Sequence, residues 1–350
     1  MAWSFFKCLA AVVLLALGTS SGVATAEPDG FTQGGRVPPG FVGEATSWPD
    51  THHGWVLGKA PCGTRSCPTL VRTDDTGDTW RRTTLPTLGE ADRFRVYFTD
   101  HGTGFVADGS HVHVTRDNGH TWHRTTFEAT GTARAIAFTT LDHATYLVAA
   151  TTTTTALYRL PARSTRWSAV PGVAASGVPD GDVTVHEGRV HTTLAGRYWS
   201  GARDTWTEST PPCPANAATD LSAAPGTPLF ALCGDDPGMG RMHKLLRRHT
   251  NTGFVDVSEA PREGITQSFA AVPGPEGRVA LTSVGLGATF VHLATTDGTT
   301  WTSPLIVEEP PLTDLVFTDD HHGYTLRPAL PDNLFHTTDG GTTWHPLPIR

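Results

Sequence analysis

Residues able to bind or transform a polar ligand are spread along this chain and do not form a single motif. Carboxylates and guanidinium groups sit together at Glu90, Asp92 and Arg93, again at Arg262 and Glu263, and at Glu308, Glu309 and Asp314, with Arg134 by itself. Two carboxylates at the right separation can act as acid and base in glycoside hydrolysis, and an arginine fork grips a carboxylate or phosphate. Arg65, lying between Cys62 and Cys67, is a further cation open to an anionic ligand. Histidine is abundant, with 17 copies. His111 and His113 alternate onto one strand face, and His120 and His123 flank a turn, a spacing open to metal binding. The pairs His52–His53 and His321–His322 recur in matching loops, however, which points to loop geometry. Neither a metal nor a cofactor is expected.

The compartment follows from the N-terminus and the cysteines. Residues 1–26 have the form of a secretory signal, with Lys7 ahead of the apolar run Leu9–Leu17 and small residues at Ala24–Ala26 before Glu27. That run is too short for a permanent membrane span, and no later stretch approaches one, so a secreted protein without membrane insertion is expected. Removing Cys8 with the signal leaves Cys62, Cys67, Cys213 and Cys233. In an oxidising compartment these favour disulfides over zinc, and three pairings are open. The net charge is −8 and only three basic residues are lysines (Lys7, Lys59, Lys244), with no basic block, which argues against nucleic acid as a partner. With 37 Gly and 26 Pro in 350 residues, turns are too frequent for a helical protein.

A repeat of about 45 residues organises the chain. Three segments, Thr73–Trp80, Thr115–Trp122 and Thr337–Trp344, share the pattern Thr-x-Asp-x-Gly-x-Thr-Trp, with aspartates at Asp75, Asp117 and Asp339. A fourth, Thr295–Trp301, carries Asp297 and is one residue short. The pattern resembles the Asp-box, or BNR, motif of sialidase-like β-propellers. More broadly the units resemble the BNR-like and YVTN-like repeat propellers of exported bacterial proteins, and more distantly the photosystem II assembly factors. Its parts have structural uses: the aspartate accepts bonds from backbone N–H groups ahead of it, glycine supplies a positive φ, and tryptophan buries a ring against the sheet. These aspartates are read as structural. Degenerate copies end at Trp167, Trp206 and Phe254, so the seven anchors Trp80, Trp122, Trp167, Trp206, Phe254, Trp301 and Trp344 are spaced by 42, 45, 39, 48, 47 and 43 residues. A second series, Trp55, Phe105, Tyr146, Val190, Phe230, Val279 and Tyr324, keeps the same beat.

The expected fold is therefore all-β, a seven-bladed β-propeller of four-stranded antiparallel blades over residues 41–350, preceded by a lead-in at 27–40. In such a blade the first strand lines the channel. The loops before the first strand and after the second share one rim, and the aspartate turns lie on the opposite face. That arrangement puts Cys213 beside Cys233 and keeps Cys62 and Cys67 within one loop (Lys59–Pro68), giving the pairs Cys62–Cys67 and Cys213–Cys233. It also puts Arg65, Arg93, Arg134 and Glu263 on the rim as candidate ligand-binding residues.

Resemblance to sialidases implies an arginine triad, a tyrosine nucleophile and a catalytic aspartate. The nearest arginine triplet, Arg159-Leu160-Pro161, falls on a third strand, and Tyr324 occupies the packing position of Trp55 and Phe105. Catalytic residues are thus not assigned. The reading is a monomeric, secreted, non-catalytic scaffold that binds a protein or carbohydrate at its rim. The alternative is a glycan-active hydrolase or lyase.

Overall fold

Runs of alternating small, β-branched and aromatic residues, cut every few positions by Gly, Pro and Asp, fold among the described residues into 29 short strands and one 3-10 turn. The computed structural model describes residues 35–89, 94–109, 111–127, 133–177, 179–308, 310–328, 330 and 333–350. The expected signal segment, most of the expected lead-in, and Glu90, Asp92, Arg93 and Glu309 lie outside the described residues. Among the described residues no helix is long and apolar enough to cross a membrane.

The strands form seven sheets ordered inside to outside. Blade one is Val42–Ser47, Gly54–Cys62, Arg65–Thr73 and Arg81–Thr83. Blade two is Arg95–Phe98, Gly104–Ala107, Val112–Thr115 and His123–Arg124. Blade three is Arg134–Leu141, Ala144–Ala150, Thr154–Leu160 and Arg166–Ser176, and blade four is Gly181–His186, Arg189–Leu194, Arg197–Ala202 and Thr205–Ser209. Blade five is Ala218–Ser222, Phe230–Gly238, Arg241–Thr250 and Gly253–Glu259. Blade six is Ile265–Ala271, Val279–Gly285, Ala288–Ala294 and Trp301–Glu308, and blade seven is Thr313–Phe317, Gly323–Leu326, Leu334–Thr337 and His345–Leu347. All pairings within these blades are antiparallel. The chain is a seven-bladed β-propeller.

One detail differs from the expectation, and two more define how the blades are built. Residues 59–68 are not a loop but the end of a long hairpin, with Lys59 opposite Pro68 and Cys62 opposite Arg65. Cys233 lies inside its strand, not at the end. The outer strand of blade two stops at Arg124, and Thr126–Phe127 crosses to pair in parallel with Arg166–Trp167 of blade three. Thr125 forms that corner. Its nitrogen and hydroxyl both donate to the Val112 carbonyl, and the hydroxyl accepts from the Trp167 indole at 2.9 Å.

The second-strand anchors are the core of each blade. Trp55, Phe105, Tyr146, Val190, Phe230, Val279 and Tyr324 are all at most 1% exposed, and burying each ring or branched chain contributes about 2 kcal/mol. They also join blades. Trp55 stacks on Phe98 of blade two at 3.8 Å, and Tyr324 of blade seven stacks on Trp48 of blade one at 3.5 Å. Gly104 before such an anchor leaves no alternative, because a Cβ there would lie 2.3 Å from the Phe98 ring.

Around the channel, a side-chain oxygen on one innermost strand accepts from a backbone nitrogen of the next. Ser47 takes Phe98, Asp182 takes Leu221, Ser222 takes Ala271, Ser268 takes Leu315, and Asp314 takes Thr46. The last bond closes the ring. Blades one and seven are each complete within their own segment, so no strand is exchanged, and Asn333 Nδ2 donating to the Gly43 carbonyl at 2.9 Å adds a second clasp.

Candidate functional site

The three complete aspartate turns have one geometry. Asp75 Oδ1 accepts from the Thr79 nitrogen at 2.9 Å, Oδ2 accepts from the Thr79 hydroxyl at 2.5 Å, and the Thr73 hydroxyl donates to Asp75 Oδ1 while accepting from the Gly77 nitrogen. Asp117 and Asp339 repeat this set with Thr121 and Thr343. The Thr79 hydroxyl holds the Asp75 carboxyl below its usual range. Burial works to raise Asp117 and Asp339, but the donors from Thr121 and Thr343 outweigh it and both are also held low. Each carboxylate oxygen is thereby bonded within its own turn, which is a structural use of the aspartate. In the shortened fourth copy the backbone folds as a 3-10 turn with Asp297 at φ 65°, and among the described residues the Asp297 carboxylate has no hydrogen-bond partner.

These turns also fill the gaps between blades. A Cβ on Gly77 would lie 2.6 Å from Leu347 of blade seven, and one on Gly298 would lie 2.7 Å from Leu246 of blade five. Arginines reach across to turn carbonyls of the next blade: Arg72 to Asn118, Arg116 to Ser164, and Arg278 to Gly340 and Asp320. Where the turn is degenerate the gap stays open. In the blade-five turn a Cβ on Gly253 would meet no atom within 4 Å. The cleft there, between blades four and five, has a volume of about 530 Å³. His191 is its innermost ring, with Nδ1 2.7 Å from the Tyr198 hydroxyl, and His249 and Phe254 stand beside it. Burial, reinforced by His249 and His186, pushes the His191 imidazole down to about 4, and burial also lowers His249.

On the opposite face the disulfides join Cys62 to Cys67 and Cys213 to Cys233. Arg65 is exposed near the tip of the blade-one hairpin, Arg134 is exposed at the start of blade three, and Glu263 lies on the segment entering blade six. Among the described residues none of the three shares a hydrogen bond or ion pair with another. Glu263 faces Arg241 at 3.9 Å. Arg93 lies outside the described residues. Among the described residues, Arg65, Arg134 and Glu263 are not brought into one constellation.

What it does build on that rim was not visible in the sequence. Lys244 is 0% exposed, and its ammonium donates to the Pro261 and Glu263 carbonyls at 2.7 and 3.0 Å. Burial depresses it to about 8. The Ser283 hydroxyl donates to the same Glu263 carbonyl at 2.8 Å and lies 3.0 Å from His292 Nε2. A carbonyl can only accept, so the Ser283 proton is already spent there and His292 Nε2 must be the donor to Ser283. A nucleophilic serine needs the reverse arrangement, so this pair is a buried clasp. Through the Glu263 carbonyl, Lys244 and Ser283 tie together two adjacent hairpins whose tips carry Met239 and Leu286, 94% and 64% exposed, at φ 50° and 59°. The tips touch, since a Cβ on Gly240 would lie 2.8 Å from the Leu286 nitrogen.

In the channel, Asp182 and Asp220 belong to adjacent innermost strands. Burial raises Asp182 to about 6, and burial together with the Asp182 charge raises Asp220 to about 7. Asp182 keeps donors from the Leu221 and Val183 nitrogens, which limits its rise. Among the described residues no three His, Cys, Asp or Glu side chains are grouped to hold a metal ion.

No protein-family model matches the chain, and no curated protein matches it in sequence. Solved structures are similar to it in fold. YCF48 bound to D1 peptide aligns with TM-score 0.59 and 18% identity, covering 87% of this chain and 95% of that one. YCF48 from Cyanidioschyzon merolae aligns with TM-score 0.57 and 15% identity, covering 88% and 98%. A prolyl endopeptidase structure aligns with TM-score 0.56 and 11% identity, covering 87% of this chain but 49% of that chain. At such identities the likeness is one of fold, that of the β-propeller.

Proposed function

We propose that this propeller is a secreted, non-catalytic scaffold that takes a protein partner on its disulfide-braced rim. The observation that carries the reading is the pair Met239 and Leu286. Both are large apolar side chains held in solvent at touching hairpin tips, in a left-handed backbone that costs about 1 kcal/mol or more for each residue. Glycine or asparagine would relieve that strain. The tips stand on rigid supports: the Cys213–Cys233 disulfide below one hairpin, and Lys244 with Ser283 tying both to the Glu263 carbonyl. Hairpin tips braced in this way limit the backbone entropy lost on binding. YCF48, similar in fold, has been solved bound to a peptide, and two disulfides suit an oxidising compartment.

The test is a displayed random-peptide library selected against the mature chain, with hits compared on a Met239→Ser/Leu286→Ser variant. Selected peptides should lose binding by about tenfold or more on the variant. Hits that bind both proteins equally, or turnover of extracellular glycans in a parallel screen, would overturn the reading.

A further inference from the structure

We infer that the cleft between blades four and five binds a small organic carboxylate, gripped by Arg189. The inference rests on comparing equivalent positions of the repeat. Arg278 immediately precedes the buried anchor Val279 of blade six, and it crosses to blade seven, donating to the Gly340 and Asp320 carbonyls at 3.2 and 2.8 Å. Arg189 immediately precedes the buried anchor Val190 of blade four and is its counterpart. No carbonyl of blade five reaches it, because the turn Thr250–Gly253 is short and open. The Arg189 fork instead turns back on its own blade, with Nη2 3.2 Å from the Ser200 carbonyl. Among the described residues it has no ion-pair partner. The cavity thus stands where oxygen acceptors stand at the blade six–seven interface.

A further cleft of this face, between blades two and three, has Gly104 and not an arginine ahead of its anchor Phe105, although Arg163 lines it. There Arg116 already donates to the Ser164 carbonyl of blade three. The remaining walls of the first cleft define the rest of the ligand; Glu187 and Arg247 also line it, so a carboxylate must sit on the Arg189 side, away from Glu187. Tyr198, Phe254 and His249 present ring faces and edges, with Tyr198 and Phe254 edge-to-face at 5.6 Å. No hydrogen bond occupies the His249 ring nitrogens among the described residues, so His249 supplies a second donor beside the guanidinium. A volume of about 530 Å³ suits a small molecule. A flat or aromatic carbon body bearing one carboxylate meets each of these groups: its oxygens take the Arg189 fork, and its ring packs among the aromatic side chains.

The probes are phenylacetate, its neutral isostere phenylacetamide, and acetate, titrated into the mature chain while histidine imidazole signals are followed by NMR. Phenylacetate should shift the His249 signals saturably, and phenylacetamide and acetate should each bind about tenfold more weakly or worse. Arg189→Gln should abolish the preference for phenylacetate over phenylacetamide. If that variant fails to fold, Arg189→Lys, which keeps the charge but loses the fork, should reduce the preference, and the comparison of probes on the unaltered protein stands without either. Equal binding of phenylacetate and phenylacetamide, no His249 shift at millimolar phenylacetate, or a preference untouched in a folded Arg189 variant would each overturn the inference.

Discussion

The carboxylate of Asp314 accepts the backbone N–H of Thr46 at 3.0 Å across a separation of 268 residues. Four similar bonds couple other neighbouring blades, but this one joins the last blade to the first. Since no strand is shared at the closure, side-chain bonds and the stacking of Trp48 on Tyr324 carry it.

Asp314→Ala should therefore destabilise the ring by about 2 kcal/mol, since it strands the Thr46 nitrogen and puts alanine at φ 51°. Asp314→Asn keeps an acceptor oxygen and tolerates the left-handed backbone, so it should cost under about 1 kcal/mol. Urea unfolding of the two variants against the parent measures both.

The aspartate turns give a contrast internal to one molecule. Alanine at Asp75, Asp117 or Asp339 leaves turn donors unpaired and should cost about 1–3 kcal/mol each. At Asp297, whose carboxylate bonds to nothing among the described residues, the matching change is to asparagine, which tolerates the backbone at φ 65°, and the loss should stay within about 0.5 kcal/mol. Equal losses at all four positions in chemical denaturation would show that the shortened turn is stabilised like the others.

Asp220 predicts a dependence on pH with a definite sign. Its folded value, about 7, lies above its unfolded value, so the folded state binds the extra proton, and its stabilising effect is fully present at low pH and lost as pH rises through about 7. Asp220→Asn removes the like charge beside Asp182. It should raise the melting temperature by about 2 °C at pH 8, with a gain that shrinks steadily toward pH 4. A gain independent of pH, read by calorimetry, would assign the effect to packing instead. Asp319 runs the other way: burial would raise it, but the His322 and His321 nitrogens hold it down to about 2, so its contribution is present above about pH 4 and fades as pH falls toward 2.

Loop closure ranks the two disulfides. Cys213–Cys233 spans 20 residues and Cys62–Cys67 spans 5, which corresponds to about 3 and about 2 kcal/mol of restraint on the unfolded chain. Paired Cys→Ser variants should lose stability in that order. The loss of Cys213–Cys233 should also weaken any ligand selected on the Met239–Leu286 tips, because that hairpin rises directly from Cys233.

The amino-acid sequence by itself determined what is local to a blade. Partners within one blade lie some ten to twenty residues apart, so alternation, turn residues and the returning aromatic anchors mark them, and Tyr146, Val190, Phe230 and Val279 could be placed as core equivalents of Trp55 without any sequence likeness between them. The same reasoning put Cys213 and Cys233 on one rim. Only the tertiary structure decided what lies between blades. Lys244 as a buried strut, the different partners taken by the counterparts Arg189 and Arg278, the open cleft beside Gly253 and the clasp of Asp314 on Thr46 all depend on how one sheet is rotated against the next. That rotation is set by which side chains fill each gap. No periodicity along the chain records it, because the groups that meet there belong to different turns of the repeat.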